Sequence, residues 1–400
     1  MNAFPKSHIP ILIIGGGIQG VLLANGLRDH SQLKDSVWIL DPKRNLLDHW
    51  VQDTRQSKVQ FLRSSISHSI SPEFHSLRRF AIERGLTKTL SEEEFVQLTY
   101  EQRSEFDLLG YYMRPSLKLF NNHARWFIEK QGLEQYHVHG SCLRIDPVKH
   151  GGYEITFEQD SIQHQVSAQF VICAYGQSRT LEHKIPSILS TNLHDLTIDQ
   201  IINKEVYILG GGLSGSQFAL WALDSGASKV SIYDIHPPTF SRFDFDPCYI
   251  GPKCKKSFDL LESPIDRIER ALKYRYPGTL PKEIYQSVIN RLSTSQLEWI
   301  VTDKLMDVHE FMKMSCNGIA IIATGFQDKR PNLGPWIQTL PVHRGYPLLD
   351  KKFQWAANLF VVGSHGLAAA GPAAGNIIGA HLAKRTIVPI ISEQFGSYVS

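Results

Sequence analysis

Two short glycine runs carry the residue types best suited to chemistry in this chain, 15-GGGIQG-20 and 210-GGGLSG-215. Each follows four apolar residues (Ile11–Ile14 and Val206–Leu209) and precedes an apolar helical run (Ile18–Leu27 and Leu213–Leu223). Glycines in the G-x-G-x-x-G spacing let a backbone come close to phosphate. Gly15 and Gly210 permit the tight turn out of the strand, Gly17 and Gly212 admit a pyrophosphate, and Gly20 and Gly215 let helix and sheet pack. The helix N-terminus adds N–H donors and the positive end of its dipole. Asp41 and Asp234 end the next strands, 37-VWILD-41 and 230-VSIYD-234, where a carboxylate accepts hydrogen bonds from a ribose 2′-OH.

Glycine turns also arise for structural reasons alone, so one such run is a weak signal. Two copies, each with strand, helix and terminal acid in order, read as two βαβ units that bind dinucleotides. The second copy also has a bland reading, a remnant that keeps the fold without the ligand. A third glycine-rich stretch, 358-NLFVVGSHGLAAAGPAAGNIIGAHLAKR-385, reads as strand, loop and a helix starting near Gly371. Such a helix N-terminus can stabilise negative charge on a reduced flavin ring, with Gly363, Gly371, Gly375 and Asn376 around the turn; the bland reading is an ordinary Ala/Gly-rich packing helix.

The continuous apolar segments 170-FVICA-174, 319-IAIIA-323 and 359-LFVVG-363 suit parallel strands covered on both faces. Alternation in 152-GYEITFE-158 and 164-HQVSAQF-170 predicts an antiparallel hairpin. The fold class expected is α/β, two Rossmann-like dinucleotide-binding domains with small antiparallel β insertions. Residues 236–300, rich in Pro, aromatic and charged side chains, read as an insertion beyond the second unit.

At 400 residues the chain is long enough for two domains. A formal net charge of +3 gives no global sign of a nucleic-acid partner, and 253-KCKK-256 reads as solvated surface. Five scattered cysteines (Cys142, Cys173, Cys248, Cys254, Cys316), none in CxxC spacing, argue against a disulfide framework and for a reducing, cytoplasmic setting. The apolar run from Ile9 to Leu27 after Lys6 imitates a signal peptide, but glycines interrupt it and no small-residue cleavage site follows. No window is long enough for a membrane span. Neither a metal-ligand cluster nor a Ser-His-Asp arrangement stands out, and oligomeric state is left open.

With these motifs in view, the chain resembles the two-dinucleotide-binding flavoproteins, in particular the lysine/ornithine N-hydroxylase-like branch of the class B flavin monooxygenase group. The resemblance runs over almost the whole length and rests on 15-GGGIQG-20, 210-GGGLSG-215, 320-AIIATGF-326 and 371-GPAAGNIIGA-380. Ala323–Thr324–Gly325 and its looser counterpart Ala174–Tyr175–Gly176 look like the family's crossings between domains. The class B pattern Phe-x-Gly-x-x-x-His is reduced to His194 in 188-ILSTNLH-194, which favours the N-hydroxylase-like branch.

The resemblance implies FAD at the first turn and NADPH or NADH at the second, with residues 1–180 and 327–400 forming the FAD domain around an NAD(P) domain at 181–326. Asp234 would repel a 2′-phosphate and favour NADH, whereas Arg242, His236 and the family pattern favour NADPH; the choice stays open. It also nominates Trp50, Gln60, Arg63 and His68 as residues beside the flavin. Arg114, next to a helix start after Pro115, is expected on a cofactor phosphate, and His123 reads as a helix-face histidine. Asp244 and Asp246 read either as holders of an amine substrate or as exposed loop acids. No catalytic side chain is identified. The implied activity is NAD(P)H-dependent oxygenation of a small nucleophilic substrate, such as a primary amine, by molecular oxygen through a flavin C4a-(hydro)peroxide. A flavin-dependent reductase delivering electrons to a quinone or other acceptor is one alternative. A flavin-binding sensor or partner protein with a decayed second site is another.

Overall fold

The computed structural model describes residues 3–73, 75–86, 114–176, 178–179, 196–304, 306–315, 318–327, 330 and 332–399. The segment 188–194, with His194, lies outside them, as does Cys316. Strand β1 (His8–Ile14) leads into helix Ile18–Arg28 and then β2 (Val37–Asp41). After helices Asp48–Gln56, Ser76–Glu83 and Leu117–Gln131 come β3 (His137–His139), β4 (Ser141–Pro147), β5 (Tyr153–Gln159), β6 (Ile162–Cys173) and the short β7 (Ser178–Arg179). The second unit contains β8 (Glu205–Leu209), helix Leu213–Asp224, β9 (Lys229–Asp234), β10 (Leu297–Val301), β11 (Ile319–Ile322) and β12 (Phe326–Gln327). Past it lie β13 (Val342–His343), β14 (Tyr346–Pro347), β15 (Gln354–Ala356), β16 (Leu359–Val361) and the long helix Ile377–Val399.

Two main sheets result, as expected of two Rossmann-like units. The first runs β15-β16-β6-β1-β2-β3, with β5 paired to β6 and β4 to β5; the second runs β10-β9-β8-β11. β1 pairs parallel with both β2 and β6, aligning Ile13 with Ile39 and Ile172. Ile11, Leu12 and Ile13 are completely buried, which is why this strand has no polar face. β16 returns the C-terminal chain to the first sheet beside β6.

The predicted hairpin forms, but its second strand does not stop where the pattern changes. β6 pairs antiparallel with β5 in its polar half and parallel with β1 in its apolar half, so one strand serves two ladders. The two crossings between units also meet: β7 and β12 pair antiparallel, Arg179 opposite Phe326. Among the described residues no helix is long and apolar enough to cross a membrane.

Three expectations need correction. Cys248 and Cys254 are joined in a disulfide, because the turn Pro247–Tyr249 and the helix starting at Pro252 fold back to bring their Cα atoms within 5.4 Å. Cysteine usage therefore no longer argues for a reducing compartment. Second, the stretch 236–300 is not one insertion on the second unit. Phe245, Tyr249, Phe258, Ile268 and Ala271 pack into the first core, while Leu280, Val288 and Leu297 belong to the second. Third, the C-terminal helix begins at Ile377 rather than near Gly371. Gly371 takes φ +78°, and the following Gly371–Ala373 segment is a 3₁₀ turn, so a regular helix starts only beyond it.

Helix Leu117–Gln131 begins after Ser116, whose hydroxyl accepts from the Leu119 N–H at 3.1 Å, and ends at Gly132 in the left-handed region. His123 on this helix is fully buried, 2.9 Å from the Ser76 hydroxyl and edge-on to Phe80, which is the packing role expected of it. Desolvation, with the Arg84 charge second, lowers its pKa from 6.5 to about 4. The unfolded chain then binds a proton that the folded protein refuses between these two values. Stability is full above pH 6.5 and falls as the pH drops toward 4, by about 3 kcal/mol for this group. Denaturant titrations across this window should show a shallower pH slope in His123→Gln than in the parent; equal slopes would remove His123 as the cause.

Candidate functional site

The first glycine turn sits at the carboxyl end of β1. Gly15 adopts φ +113°, and a Cβ there would lie 2.3 Å from the Ala174 carbonyl oxygen at the end of β6. A Cβ at Gly20 would lie 1.8 Å from the Gly15 oxygen, so helix and turn touch backbone to backbone. At Gly17 an added Cβ meets nothing within 4 Å. The first helical bond runs from the Val21 N–H to the Gly17 oxygen at 2.9 Å, leaving the amides of Ile18, Gln19 and Gly20 without intrahelical acceptors. An open face edged by such amides fits a dinucleotide pyrophosphate.

Asp41, expected at a ribose, holds the turn itself. Its carboxylate accepts from the Gly16 N–H at 2.6 Å and from the Lys43 N–H at 2.8 Å, clamping the turn from below. A Cβ on Gly16 would come within 2.8 Å of the Leu46 side chain and 3.1 Å of Asp41 Cβ, so a side chain there would have to displace Leu46. The second unit repeats this construction. Gly210 takes φ +103° against the Ala323 carbonyl, Gly215 packs on the Gly210 oxygen, and the Gly211 N–H donates to the Asp234 carboxylate. The His236 N–H occupies the other Asp234 oxygen at 3.0 Å. The G-x-G-x-x-G pattern leaves its x unassigned; the middle glycine of each run was the available signal for these clamps.

The C-terminal turn closes on the first fingerprint. Gln19 donates from Nε2 to the carbonyls of Ala374 at 3.3 Å and Asn376 at 3.1 Å, and a Cβ on Gly363 would lie 3.6 Å from its Cγ. Its Oε1 is buried without a hydrogen-bond partner among the described residues. Asn376 Nδ2 donates to both oxygens of Asp244 at 3.1 Å. Gly375 lies so near Ser364 that a Cβ would come within 2.7 Å of its hydroxyl, and a Cβ on Gly371 would lie 3.4 Å from the Phe258 ring. Gln19 was missed because its pattern position accepts any residue.

Several expected site residues stand elsewhere or do other work. Trp50 donates to Asn121 Oδ1 at 3.1 Å and packs edge-on against Phe120, joining two helices of the first unit. Arg63 reaches the second unit, donating to the carbonyls of Thr279 at 3.0 Å and Ser241 at 2.6 Å. Arg114, buried to 2% exposure, is paired with Glu283 at 2.7 Å, so a carboxylate takes the place expected for a phosphate. Gln60 is exposed, with its backbone oxygen accepting from the Leu117 N–H. His68 is half-buried, and desolvation followed by the nearby His381 lowers its pKa to about 4. Asp246 accepts from the Cys248 N–H at 2.9 Å and caps its own turn, which identifies it as a structural cap. Of the two acids only Asp244 touches the C-terminal turn.

Twin parallel units with linked crossings and a returning C-terminal strand define the two-dinucleotide-binding flavoprotein fold. Residues 12–178 match a family model described as FAD-NAD(P)-binding. No curated protein sequence matches the chain. An ornithine N-hydroxylase from Kutzneria sp. 744, solved with reduced FAD, NADP+ and L-ornithine, is similar over 97% of this chain and 99% of its own, with TM-score 0.69 at 12% identity. The FAD-bound cadaverine monooxygenase of desferrioxamine biosynthesis from Erwinia amylovora gives TM-score 0.67 at 12% identity, covering 96% of this chain and 94% of that one. Bacillithiol disulfide reductase from Bacillus cereus gives 0.59 at 13% identity, covering 97% and 99%. At such identities the likeness establishes the fold.

Gly17 is the position to test, since it has φ −75° and open space beyond it. Gly17→Val should therefore fold with unchanged circular dichroism yet lose most bound FAD by absorbance. Flavin content equal to that of the parent would remove the first turn as the flavin site.

Proposed function

We propose that the chain is an FAD-dependent, NAD(P)H-consuming monooxygenase that places one atom of O2 on a small nucleophilic substrate, with a primary amine as the substrate class. The observation that carries this reading is the pair of glycine turns, alike in their acid clamps but set on separate sheets. One dinucleotide then stays while the other comes and goes. The division proposed is an FAD domain of residues 1–180 and 327–400, which residues 245–271 join, and an NAD(P) domain in the remainder of 181–326.

In this reading FAD, when bound, supplies hydride acceptance and oxygen activation. The amides of Ile18, Gln19 and Gly20 hold its pyrophosphate, and Asp41 keeps those amides aimed. Gln19 braces the C-terminal turn, so the flavin end of the crevice has a fixed wall. Asp244 supplies a carboxylate at that wall for an ammonium group. Apolar packing of Phe245, Tyr249 and Phe258 against the first core excludes water from that side. The fold shared with hydroxylases of ornithine and cadaverine supports the substrate class. Likeness to a disulfide reductase supports the alternative, electron delivery to an acceptor other than oxygen.

Oxygen uptake in the presence of NAD(P)H and a panel of diamines and amino acids tests the proposal. Hydroxylated amine formed in step with nucleotide oxidation is the expected outcome; reduction of a disulfide or quinone without any oxygenated product would favour the reductase. Gly212→Val should abolish NAD(P)H-driven flavin reduction while FAD content and reduction by dithionite persist. Unchanged reduction by NAD(P)H in that variant would mark the second turn as a remnant of the fold.

A further inference from the structure

The two glycine turns differ in what stands over them. At Gly17 an added Cβ meets nothing, whereas at Gly212 it meets the Gly278 Cα at 3.4 Å. The second glycine of the pattern is the one whose missing side chain lets pyrophosphate approach the backbone. The Gly278 Cα therefore stands against the second turn on the side that is open in the first.

This loop is fastened on several sides. The Leu280 N–H donates to the Thr239 oxygen at 2.8 Å, and the Ser241 N–H to the Leu280 oxygen at 3.0 Å. Thr279 Oγ1 donates to the Tyr276 oxygen at 2.8 Å. From the first unit, Arg63 Nη1 donates to the Thr279 oxygen at 3.0 Å. Its Nη2 donates to the Ser241 oxygen at 2.6 Å and lies 3.2 Å from Thr279 Oγ1. Hydrogen bonds from a guanidinium are stronger than neutral ones, and these span the loop and the segment it lies on. Just beyond the loop, Glu283 is held by Arg114, also from the first unit. Gly278 has φ +75°, a conformation that other residues resist.

We propose that residues 276–280 form a latch over the second dinucleotide turn, and that Arg63 is the positioning residue that holds it shut. A nicotinamide dinucleotide binds by displacing the latch, which breaks the Arg63 contacts and informs the first unit that reductant has arrived. The proposal rests on the reading of the second turn as the NAD(P)H site. The apparent affinity is then the intrinsic affinity reduced by the small fraction of molecules with the latch open.

Hydrogen exchange on the flavin-loaded protein, with and without saturating NADP+ or NAD+, reads the latch directly. Exchange at the Ser241 and Leu280 amides should accelerate roughly fivefold when dinucleotide binds. Arg63→Met should lower the dissociation constant for NADP+ or NAD+ by about three- to tenfold, because more molecules are already open. Its limiting rate of flavin reduction should stay at the parent value. Gly278→Ala disfavours the closed loop from the other side and should shift affinity in the same direction, which keeps the test available if Arg63→Met fails to fold. A merely structural Arg63 would give weaker binding on substitution. Full occupancy by dinucleotide with unaltered exchange at Ser241 and Leu280, or equal or weaker binding in the folded variants, would overturn the latch alone. If neither nucleotide binds the parent or any variant, the reading of the second turn falls and the latch with it.

Discussion

A carboxylate at the end of one strand, accepting the N–H of the middle glycine in the preceding turn, is the interaction on which the rest of this structure depends. Asp41 does this to Gly16 and Asp234 to Gly211. Hydrogen bonds to charged groups contribute roughly 1.5–3 kcal/mol each, so the clamp is a substantial local term. Its geometric effect matters more. The middle glycine faces inward, where an added Cβ would press on the Leu46 side chain in the first turn and on the Trp299 ring in the second. The acid thus aims the turn.

From that clamp the architecture follows outward. Each turn needs a buried parallel strand on either side, which β2 and β6 provide for β1, and β9 and β11 for β8. The C-terminal chain returns to complete the first crevice, where Gln19 and Asn376 fasten it to the fingerprint helix and to Asp244. The two units are then tied by the β7–β12 ribbon, by Arg63 and Arg114, and by Lys58, whose ammonium lies 4.0 Å from the Trp221 ring centroid.

The elements governed by local pattern were legible in the chain. Glycine spacing, the apolar runs of β1, β6 and β11, the hairpin of β5 and β6, and the crossings at Ala174 and Ala323 all express backbone geometry that neighbours in sequence determine. Residues whose partners come from distant segments were not legible. Arg114 before a helix start looks like a phosphate ligand until Glu283, far along the chain, is seen against it. Trp50 and Arg63 read as flavin neighbours, yet their partners, Asn121 and Thr279, are set by tertiary packing. The Cys248–Cys254 bond depends on a 3₁₀ turn and a helix folding back, which no spacing rule announces. Gly371 looked like a helix start because its positive φ is invisible in the alphabet, and that φ delays the helix to Ile377.

The central claim is a resident flavin in the first turn and a transient hydride donor in the second. Anaerobic mixing of the flavin-loaded protein with NADPH and with NADH in parallel, followed by admission of oxygen, tests it most directly. The account predicts that at least one nucleotide bleaches the visible flavin absorbance and that oxygen restores it. Flavin that dithionite reduces but neither nucleotide touches would contradict it.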